Sequence, residues 1–304
     1  MNIKSKTLEQ TKWFISGLID AEGSFGVNVV KHYTNSTGFV VLIYFEVGMN
    51  SKDKPLLEII KYTLGLNCNL YYNGNDDTFK LKVSNLNDII NKIIPFFNKY
   101  TLFSNKRVDF FLMSMVADLL KNQQHLTLKG LNEIVGIKAA MNLGLSEKLK
   151  KEFPNVQCVD RPTFDYININ YMWLAGFIEG EACFFVSVYN SPKSKLGKAV
   201  QLVFKVTQHI RDKMLLEDIK NLLNCGRIEI RKSNEACDFT VTSFNEFKNN
   251  IIPFFDNYNL LGEKLLDYKD FKLVYDIMEN KGHLTEDGLL RIIDIKNKMN
   301  TKRL

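Results

Sequence analysis

The sequence predicts an α+β fold made of two similar domains, each with an antiparallel four-stranded sheet that carries helices on one face. A nine-residue pattern at residues 15–23 recurs at residues 174–182. The similarity continues at nearly constant spacing, and the segments after each copy alternate between apolar and polar residues as strands do. A chain of 304 residues also has the length of two ordinary domains.

Each half begins with a helix that ends at the repeated pattern, and four strands and further helices follow. In the first half, residues 24–30 and 40–47 alternate, and two more strands flank the turn at residues 73–75. The corresponding strands of the second half are residues 183–189, 201–206, 226–231 and 238–242.

The last helices of the two halves begin at matching threonines, Thr127 and Thr285, which are favourable N-cap residues. His125 and His283 precede them at matching positions. A metal or nuclease role is one interpretation of these histidines, but repeated capping and packing accounts for them better.

We expect a first domain at residues 1–142, a linker at residues 143–170 and a second domain at residues 171–304. The predicted linker has no counterpart within the repeat, is rich in Lys, Glu and Asn, and contains Pro154 and Pro162.

Composition excludes some classes of protein and leaves others open. The net charge of +6 is compatible with nucleic acid as a partner, and equally with an ordinary basic enzyme. The five cysteines are odd in number and lack paired metal-ligand spacing, so we expect reduced thiols rather than disulfides or a zinc site. Because the apolar runs are much shorter than a membrane helix and no apolar signal region is present, we expect a soluble intracellular protein with no membrane partner.

Small residues recur four apart in both copies of the pattern, at Gly17 and Ala21 and at Gly176 and Gly180. This spacing places them on one face of each helix, where they permit close approach of two backbones. We expect the two helices to pack against each other along this face. A helix pair that serves only as an interface between domains would explain the small residues equally well.

The acids at the helix ends favour a catalytic interpretation. Each helix ends in two carboxylates, Asp20 with Glu22 and Glu179 with Glu181, where unpaired carbonyls already create a negative potential. Four acids in one place are unfavourable unless cations bind there. Carboxylates and carbonyls suit Mg²⁺, and two ions or one shared ion could activate water and stabilise the leaving oxygen of a phosphodiester.

These duplicated patterns resemble those of the single-chain LAGLIDADG homing endonucleases, in particular the fungal mitochondrial intron-encoded members. The resemblance covers essentially the whole chain. It implies that Glu22 and Glu181 are the catalytic, metal-binding acids. It also implies that the carbonyls of Ala21 and Gly180 are further metal ligands.

The same resemblance makes Asp20 and Glu179 helix-end or interface acids rather than metal ligands. It implies a catalytic role for Gln208 as the polar residue that positions water after the second strand. The matching residue of the first half is Met49, which cannot hydrogen-bond water in this way. Either Asn50 substitutes for it or the two active centres are unequal.

A basic residue before a later helix is a further catalytic feature of the family, and Lys106 and Lys264 fit it. Solvated helix lysines are the alternative interpretation.

The second copy of the pattern departs from the first at Ala182, which stands where the first copy has Gly23. Because Gly tolerates the left-handed conformation that often ends a helix, we expect the second helix to end differently.

The open face of each sheet is expected to bind DNA, because a two-stranded ribbon can enter the major groove and present alternate side chains. Loop lysines are better placed for phosphates, although a charged run is often only a solvated loop. The predicted DNA-binding residues are Ser24, Gly26, Asn28, Tyr44, Glu46, Tyr72, Lys80, Lys82 and Ser84 in the first half, and Cys183, Phe185, Ser187, Tyr189, Lys193, Lys195, Gln201, Lys205, Arg227, Glu229, Arg231 and Thr240 in the second.

The resemblance implies a monomer that makes a staggered double-strand break in a long, asymmetric double-stranded DNA target. Mg²⁺ is the implied cofactor, with Mn²⁺ able to substitute and Ca²⁺ supporting binding without cleavage. An origin in a mitochondrial intron is implied as well. The alternatives are an intron maturase that binds intron RNA and a purely DNA-binding regulator, and the retained acids favour the nuclease.

Overall fold

The computed structural model describes residues 6–164, 168–232, 235–300 and 303. The chain forms two compact units, Met1–Asn168 and Ile169–Leu304. Each unit contains one copy of the repeated pattern and one sheet.

The first unit contains seven α-helices and four strands within its described residues. Their bounds are α1 Leu8–Glu22, β1 Gly23–Lys31, β2 Phe39–Asn50, α2 Lys54–Thr63, β3 Leu70–Asn73, β4 Thr78–Val83, α3 Leu86–Asp88, α4 Ile94–Lys99, α5 Lys106–Lys121, α6 Leu128–Ala140 and α7 Glu147–Glu152.

The second unit repeats this order, but its described residues include no counterpart of α7. Its elements are α8 Tyr171–Glu181, β5 Ala182–Asn190, β6 Lys198–His209, α9 Lys213–Leu223, β7 Arg227–Ile230, β8 Ala236–Val241, α10 Phe244–Glu246, α11 Ile252–Asn257, α12 Lys264–Glu279 and α13 Glu286–Lys296.

Both sheets are antiparallel, in the orders β1-β2-β4-β3 and β5-β6-β8-β7, which confirms the predicted four-stranded architecture. In the first sheet Phe25 pairs with Phe45, and in the second Phe184 pairs with Phe204. Because side chains alternate along a strand, this register sends the apolar side chains of neighbouring strands to the same face.

The core of the first unit lies between one face of its sheet and helices α4 and α5. The ring of Phe25 lies 5.2 to 5.4 Å from those of Phe45, Phe97 and Phe110. These edge-on and tilted contacts are the geometries that aromatic pairs prefer. They fix α4 and α5 against β1 and β2.

The second unit packs its core in the same way around Phe184, whose ring lies 4.9 to 5.4 Å from those of Phe204, Phe255 and Phe271. The opposite face of each sheet, called the open face below, carries exposed side chains such as Asn28, Lys82, Gln201 and Arg227.

Helices α1 and α8 end in the same way, so the expected difference between Gly23 and Ala182 is wrong. Gly23 has φ −80° and ψ 164°, and Ala182 has φ −89° and ψ 160°. Each backbone N–H donates to the carbonyl four residues earlier, of Ile19 or Ile178. The chain passes directly from helix into an extended strand, so no left-handed residue is needed and alanine fits.

The segment predicted as the linker contacts the first unit at several points. It contains α7, where Glu152 pairs with Lys31 of β1 at 2.8 Å. Farther along, Arg161 donates to Asp109 of α5 at 3.0 Å. Residues 165–167 of the predicted linker lie outside the described residues.

The threonine caps are confirmed: Thr127 accepts from the amide of Gly130, and Thr285 from that of Gly288. Burial lowers the pKa of His125 and of His283, as is expected for histidines that are packed in the fold.

All five cysteines are free thiols. Among the described residues, no helix is long and apolar enough to cross a membrane.

Candidate active site and nucleic-acid interface

The two acids at each helix end lie in different environments. Glu22 is exposed at the end of α1, and Glu181 is half-buried at the end of α8. Asp20 and Glu179, two residues earlier, are only 2% and 5% exposed. Only the last acid of each helix is therefore accessible to a ligand.

Asp20 fastens the end of α1 to the loop that precedes α5. Its carboxylate accepts hydrogen bonds from the amides of Phe103 and Ser104, at 2.5 and 3.1 Å, and from the Ser104 hydroxyl. Burial raises the pKa of Asp20, and the bonds from Ser104 and Phe103 offset this only in part. In the second unit, Glu179 accepts from the amide of Leu261 at 2.8 Å.

This attachment brings a lysine to each helix end. The Lys106 ammonium donates to the carbonyl of Ala21, and its backbone amide donates to the Ser104 hydroxyl at 3.1 Å. In the second unit, Lys264 donates to the carbonyls of Ala182 and, at 3.4 Å, Gly180. Unpaired carbonyls at the end of a helix attract positive charge.

The residues at each helix end fit a hard divalent cation. A carboxylate and an adjacent carbonyl supply the oxygen ligands that Mg²⁺ prefers, and the lysine ammonium shows that these carbonyls attract a cation. Among the described residues, no group of three or more His, Cys, Asp or Glu side chains is arranged so that it could hold a metal ion. Within each unit, the oxygen ligands at the helix end are one accessible carboxylate and neighbouring backbone carbonyls.

The second helix end opens onto a cavity of about 550 Å³ that also contains Gln208. Glu181 and Gln208 line it together with Thr207, His209, Glu235 and Ala236. The cavity thus unites two residues that the sequence predicts for one active centre. His209 pairs with Glu235 at its rim, at 3.3 Å.

The first unit has a methionine, Met49, at the position that matches Gln208. Met49 is buried on β2, and Asn50 accepts from the amide of Lys52 at 3.1 Å. His209 makes the same cap with Arg211, so Asn50 is the counterpart of His209 rather than of Gln208. This geometry favours unequal centres over substitution of Met49 by Asn50.

On the first open face, Glu46 lies between two lysines, 3.6 Å from Lys80 and 3.1 Å from Lys82. The Lys82 ammonium also lies 4.6 Å from the centre of the Tyr44 ring. That ring covers Gly26, its cross-strand partner, so closely that a Cβ at residue 26 would overlap it. Gly26 therefore acts by making room for Tyr44 and not as a contact of its own.

Tyr72 does not project from the open face as predicted. It pairs with Phe79, and the two rings lie 5.0 Å apart, whereas Tyr71 pairs with Lys80 and shares its face. A shift of one residue exchanges the two faces of a strand, and two adjacent tyrosines in a four-residue strand give no alternation to prevent that error. Tyr71 is thus the tyrosine of β3 on the open face.

On the second open face, Asp238 was missed by the sequence prediction. It accepts from Arg231 Nε at 2.8 Å and Nη2 at 2.7 Å, from Thr207 at 2.6 Å and from Lys205 at 3.4 Å. Alternation places it on the same face as Thr240, which could have identified it.

Thr240 itself is only 3% exposed and donates to Glu229 at 3.3 Å. Glu229 also accepts from Arg227 Nε at 2.8 Å. Thr240 therefore supports its neighbours and is not accessible from the open face, contrary to the prediction.

The other predicted contacts lie at the surface in varying degree. Asn28, Lys82, Ser84, Cys183, Tyr189, Lys193, Lys195, Gln201, Arg227 and Arg231 are exposed, and Ser24, Tyr44, Glu46, Lys80, Phe185, Ser187, Lys205 and Glu229 are half-buried.

Comparison with known proteins shows the family of the chain. The sequence model described as LAGLIDADG endonuclease matches residues 15–117 and 174–275. Two Neurospora crassa proteins named probable intron-encoded endonucleases 3 and 2 are 36% and 37% identical to the chain, over 94% of its length. The chain spans only 54% and 64% of the lengths of these relatives.

Solved structures agree over nearly the whole chain. The I-LtrWI LAGLIDADG homing endonuclease bound to target DNA is 68% identical, with a TM-score of 0.97 over 98% of this chain and 100% of that one. The I-SmaMI LAGLIDADG homing endonuclease bound to cleaved DNA is 39% identical, with a TM-score of 0.94 over 96% and 98%. A further I-SmaMI structure holds an uncleaved DNA target in the presence of calcium ions.

Proposed function

Because the chain belongs to the LAGLIDADG endonuclease family, we propose that it is a site-specific DNA endonuclease that makes a staggered break in a long, asymmetric target. The observation that carries this proposal is the repeated arrangement at the two helix ends. In each unit an accessible acid, Glu22 or Glu181, lies beside carbonyls that are contacted by a lysine. Residues 143–170 connect the two domains.

Glu22 with the Ala21 carbonyl, and Glu181 with the Gly180 carbonyl, would hold Mg²⁺ or Mn²⁺. When bound, such an ion supplies a Lewis acid that activates water and stabilises the leaving oxygen of a phosphodiester. Calcium would support binding without cleavage, and the uncleaved I-SmaMI complex with calcium supports this expectation.

The lysines supply positive charge beside the acids. Lys106 and Lys264 would stabilise the charge that develops on the scissile phosphate, because their ammonium groups already lie at the carbonyls next to Glu22 and Glu181. Lys106 and Lys264 begin the helices that follow the loops fastened by Asp20 and Glu179. The anchored acids thus position the catalytic lysines without binding the metal.

Gln208 would orient the attacking water in the second unit, since it shares a cavity with Glu181. Buried Met49 cannot do so in the first unit. We therefore propose that the two strands are cut at different intrinsic rates.

The two open faces carry different side chains, so a monomer would bind a different half-site with each face. This supports an asymmetric target rather than the palindrome of a homodimer. The intron-encoded Neurospora crassa relatives support intron homing and a fungal origin. Retention of both acids favours the nuclease over an RNA-binding maturase.

A randomised duplex library tests the proposal. The protein is incubated with it in Mg²⁺ and separately in Ca²⁺, and cut and retained duplexes are sequenced. We expect one asymmetric sequence to be cut in Mg²⁺ and only bound in Ca²⁺. Binding of intron RNA with no DNA cleavage in Mg²⁺ would overturn the proposal in favour of the maturase.

A further inference from the structure

The carboxylate of Asp238 is buried in the middle of a face that is proposed to bind a polyanion. Its side chain is only 5% exposed, whereas those of its partners Lys205 and Arg231 are 30% and 38% exposed. The acid therefore lies beneath the two cations. A carboxylate buried in this way repels DNA only weakly. It acts on the surface through Lys205 and Arg231, whose side chains it holds.

Asp238 holds Arg231 by two nitrogens at once. Nε donates to one carboxylate oxygen at 2.8 Å and Nη2 to the other at 2.7 Å, which is the bidentate geometry of a guanidinium on a carboxylate. Thr207 braces the pair, because it donates to Asp238 at 2.6 Å and accepts from Nη2 at 3.1 Å. Burial alone would raise the pKa of Asp238, but the bonds from Arg231 and Thr207 and the charge of Lys205 lower it.

This pairing determines which part of Arg231 remains available. The hydrogens of Nε and Nη2 are directed at Asp238 and Thr207. Within the described part of the chain, Nη1 has no hydrogen-bond partner, and its two N–H groups remain for a ligand. A planar guanidinium held at one edge has little freedom to turn, so these donors have a fixed direction.

The first open face has a looser version of this cluster. Glu46 contacts Lys80 and Lys82 through single ammonium groups, at 3.6 and 3.1 Å, and its side chain is 25% exposed. An ammonium is a point charge on a flexible stem and imposes no bidentate geometry. Glu46 thus balances charge without fixing the direction of a donor.

We propose that Asp238 is a positioning residue for base recognition, which orients Arg231 so that Nη1 contacts a guanine in the second half of the DNA target. Guanine fits because its major-groove edge presents the acceptors O6 and N7. Asp238 also keeps Lys205 and Arg231 from binding phosphates indiscriminately. This inference rests on the proposed function as a site-specific endonuclease.

The test measures binding in Ca²⁺ to the target and to every single-base variant of it. The variants Asp238→Asn and Arg231→Lys are compared with Asp294→Asn, a matched control that makes the same change of charge on helix α13 of the same unit, where Asp294 pairs only with the Lys298 ammonium at 2.7 Å. Thermal melting of each variant shows that it is folded.

We expect Asp238→Asn and Arg231→Lys to reduce discrimination about tenfold at one guanine of the second half-site and to leave the other positions unchanged. Asp238→Asn should also bind unrelated DNA more tightly, with a steeper salt dependence by about one unit of slope, because the freed cations reach phosphates. Asp294→Asn should lose discrimination at no position, because Asp294 lies on a helix and not on the open face.

A double-mutant cycle separates positioning from general support of the fold. In an Arg231→Ala background, Asp238→Asn should have no further effect at that guanine. An unchanged profile for Asp238→Asn, or a uniform loss at all positions, would overturn the inference. The proposed function fails separately, if the unaltered protein selects no duplex in Ca²⁺.

Discussion

Asp20 accepts two hydrogen bonds from Ser104, one from its amide nitrogen at 3.1 Å and one from its hydroxyl. This connection joins residues far apart in the sequence and attaches the end of α1 to the start of α5. Glu22 lies at the first of these points and Lys106 at the second. The relative position of acid and lysine therefore depends on a side chain that takes no part in the chemistry.

Replacing Asp20 with Asn should destabilise the first unit by about 1 to 3 kcal/mol at neutral pH, because an amide cannot accept all three hydrogen bonds. Thermal or urea unfolding measures this. The matched control is Glu147→Gln, which changes an acid whose side chain is 82% exposed and should leave stability nearly unchanged.

The difference in stability between the unaltered protein and Asp20→Asn should depend on pH. Because burial raises the pKa of Asp20, the folded state binds a proton here more readily than the unfolded chain. The stabilisation due to Asp20 is fully present at pH values below the pKa that this group has in the unfolded chain. It is lost as the pH rises through the pKa that the group has in the folded protein. The unaltered protein should thus gain stability relative to Asp20→Asn as pH falls from 7 toward 4, and the reverse trend in melting temperature would contradict the assignment.

Glu22→Gln and Glu181→Gln should each abolish cutting of one strand while leaving DNA binding largely intact. We expect a loss of more than about 100-fold on that strand, since even residues that only support metal ligands typically contribute 10 to 100-fold. Strand-specific end labels on the selected duplex distinguish the two nicks. Full double-strand cutting by both variants would disprove the roles of these acids.

Lys106→Ala and Lys264→Ala should slow cleavage at saturating protein by about 100-fold, because each removes a positive charge beside the acid. Affinity for the target should change little. Lys193→Ala, in the exposed connection between β5 and β6, is the contrasting variant: its cleavage rate should be unchanged while the salt dependence of binding becomes shallower. Equal effects of all three on the rate would mean that the helix-end lysines have no specific role at the scissile phosphate.

Gln208→Met gives the second unit the residue that the first has at Met49. We expect about tenfold slower cutting of one strand and no change on the other, because only one water loses its hydrogen-bond partner. Single-turnover rates for each labelled strand test this. Unchanged rates on both strands would mean that Gln208 does not position the nucleophile.

The duplication, the four strands of each unit and the acids at the helix ends could all be predicted from the sequence, because each rests on a pattern of residues that the sequence itself displays. The partners of Asp20 could not, because Phe103 and Ser104 are distant in sequence and two of their donors are backbone amides with no residue signature. The position of the Lys106 ammonium depends on that same contact. Long-range hydrogen bonds of this kind appear only once the chain has folded.

Errors on the open faces had other physical causes. Tyr71 and Tyr72 are chemically identical neighbours, so only the pairing with Lys80 and Phe79 distinguishes their faces. Thr240 alternates correctly but is covered by its neighbours, and alternation predicts direction rather than exposure.

The close fit of Tyr44 over Gly26 affects any attempt to give the protein a new target. Any side chain at residue 26 would collide with the ring, and displacing the ring would also remove the surface on which Lys82 rests. Libraries that vary residue 26 alone would therefore also displace Tyr44, which is itself a predicted DNA contact. Redesign of the first half-site has to treat residues 26, 44 and 82 as one recognition module, replaced together.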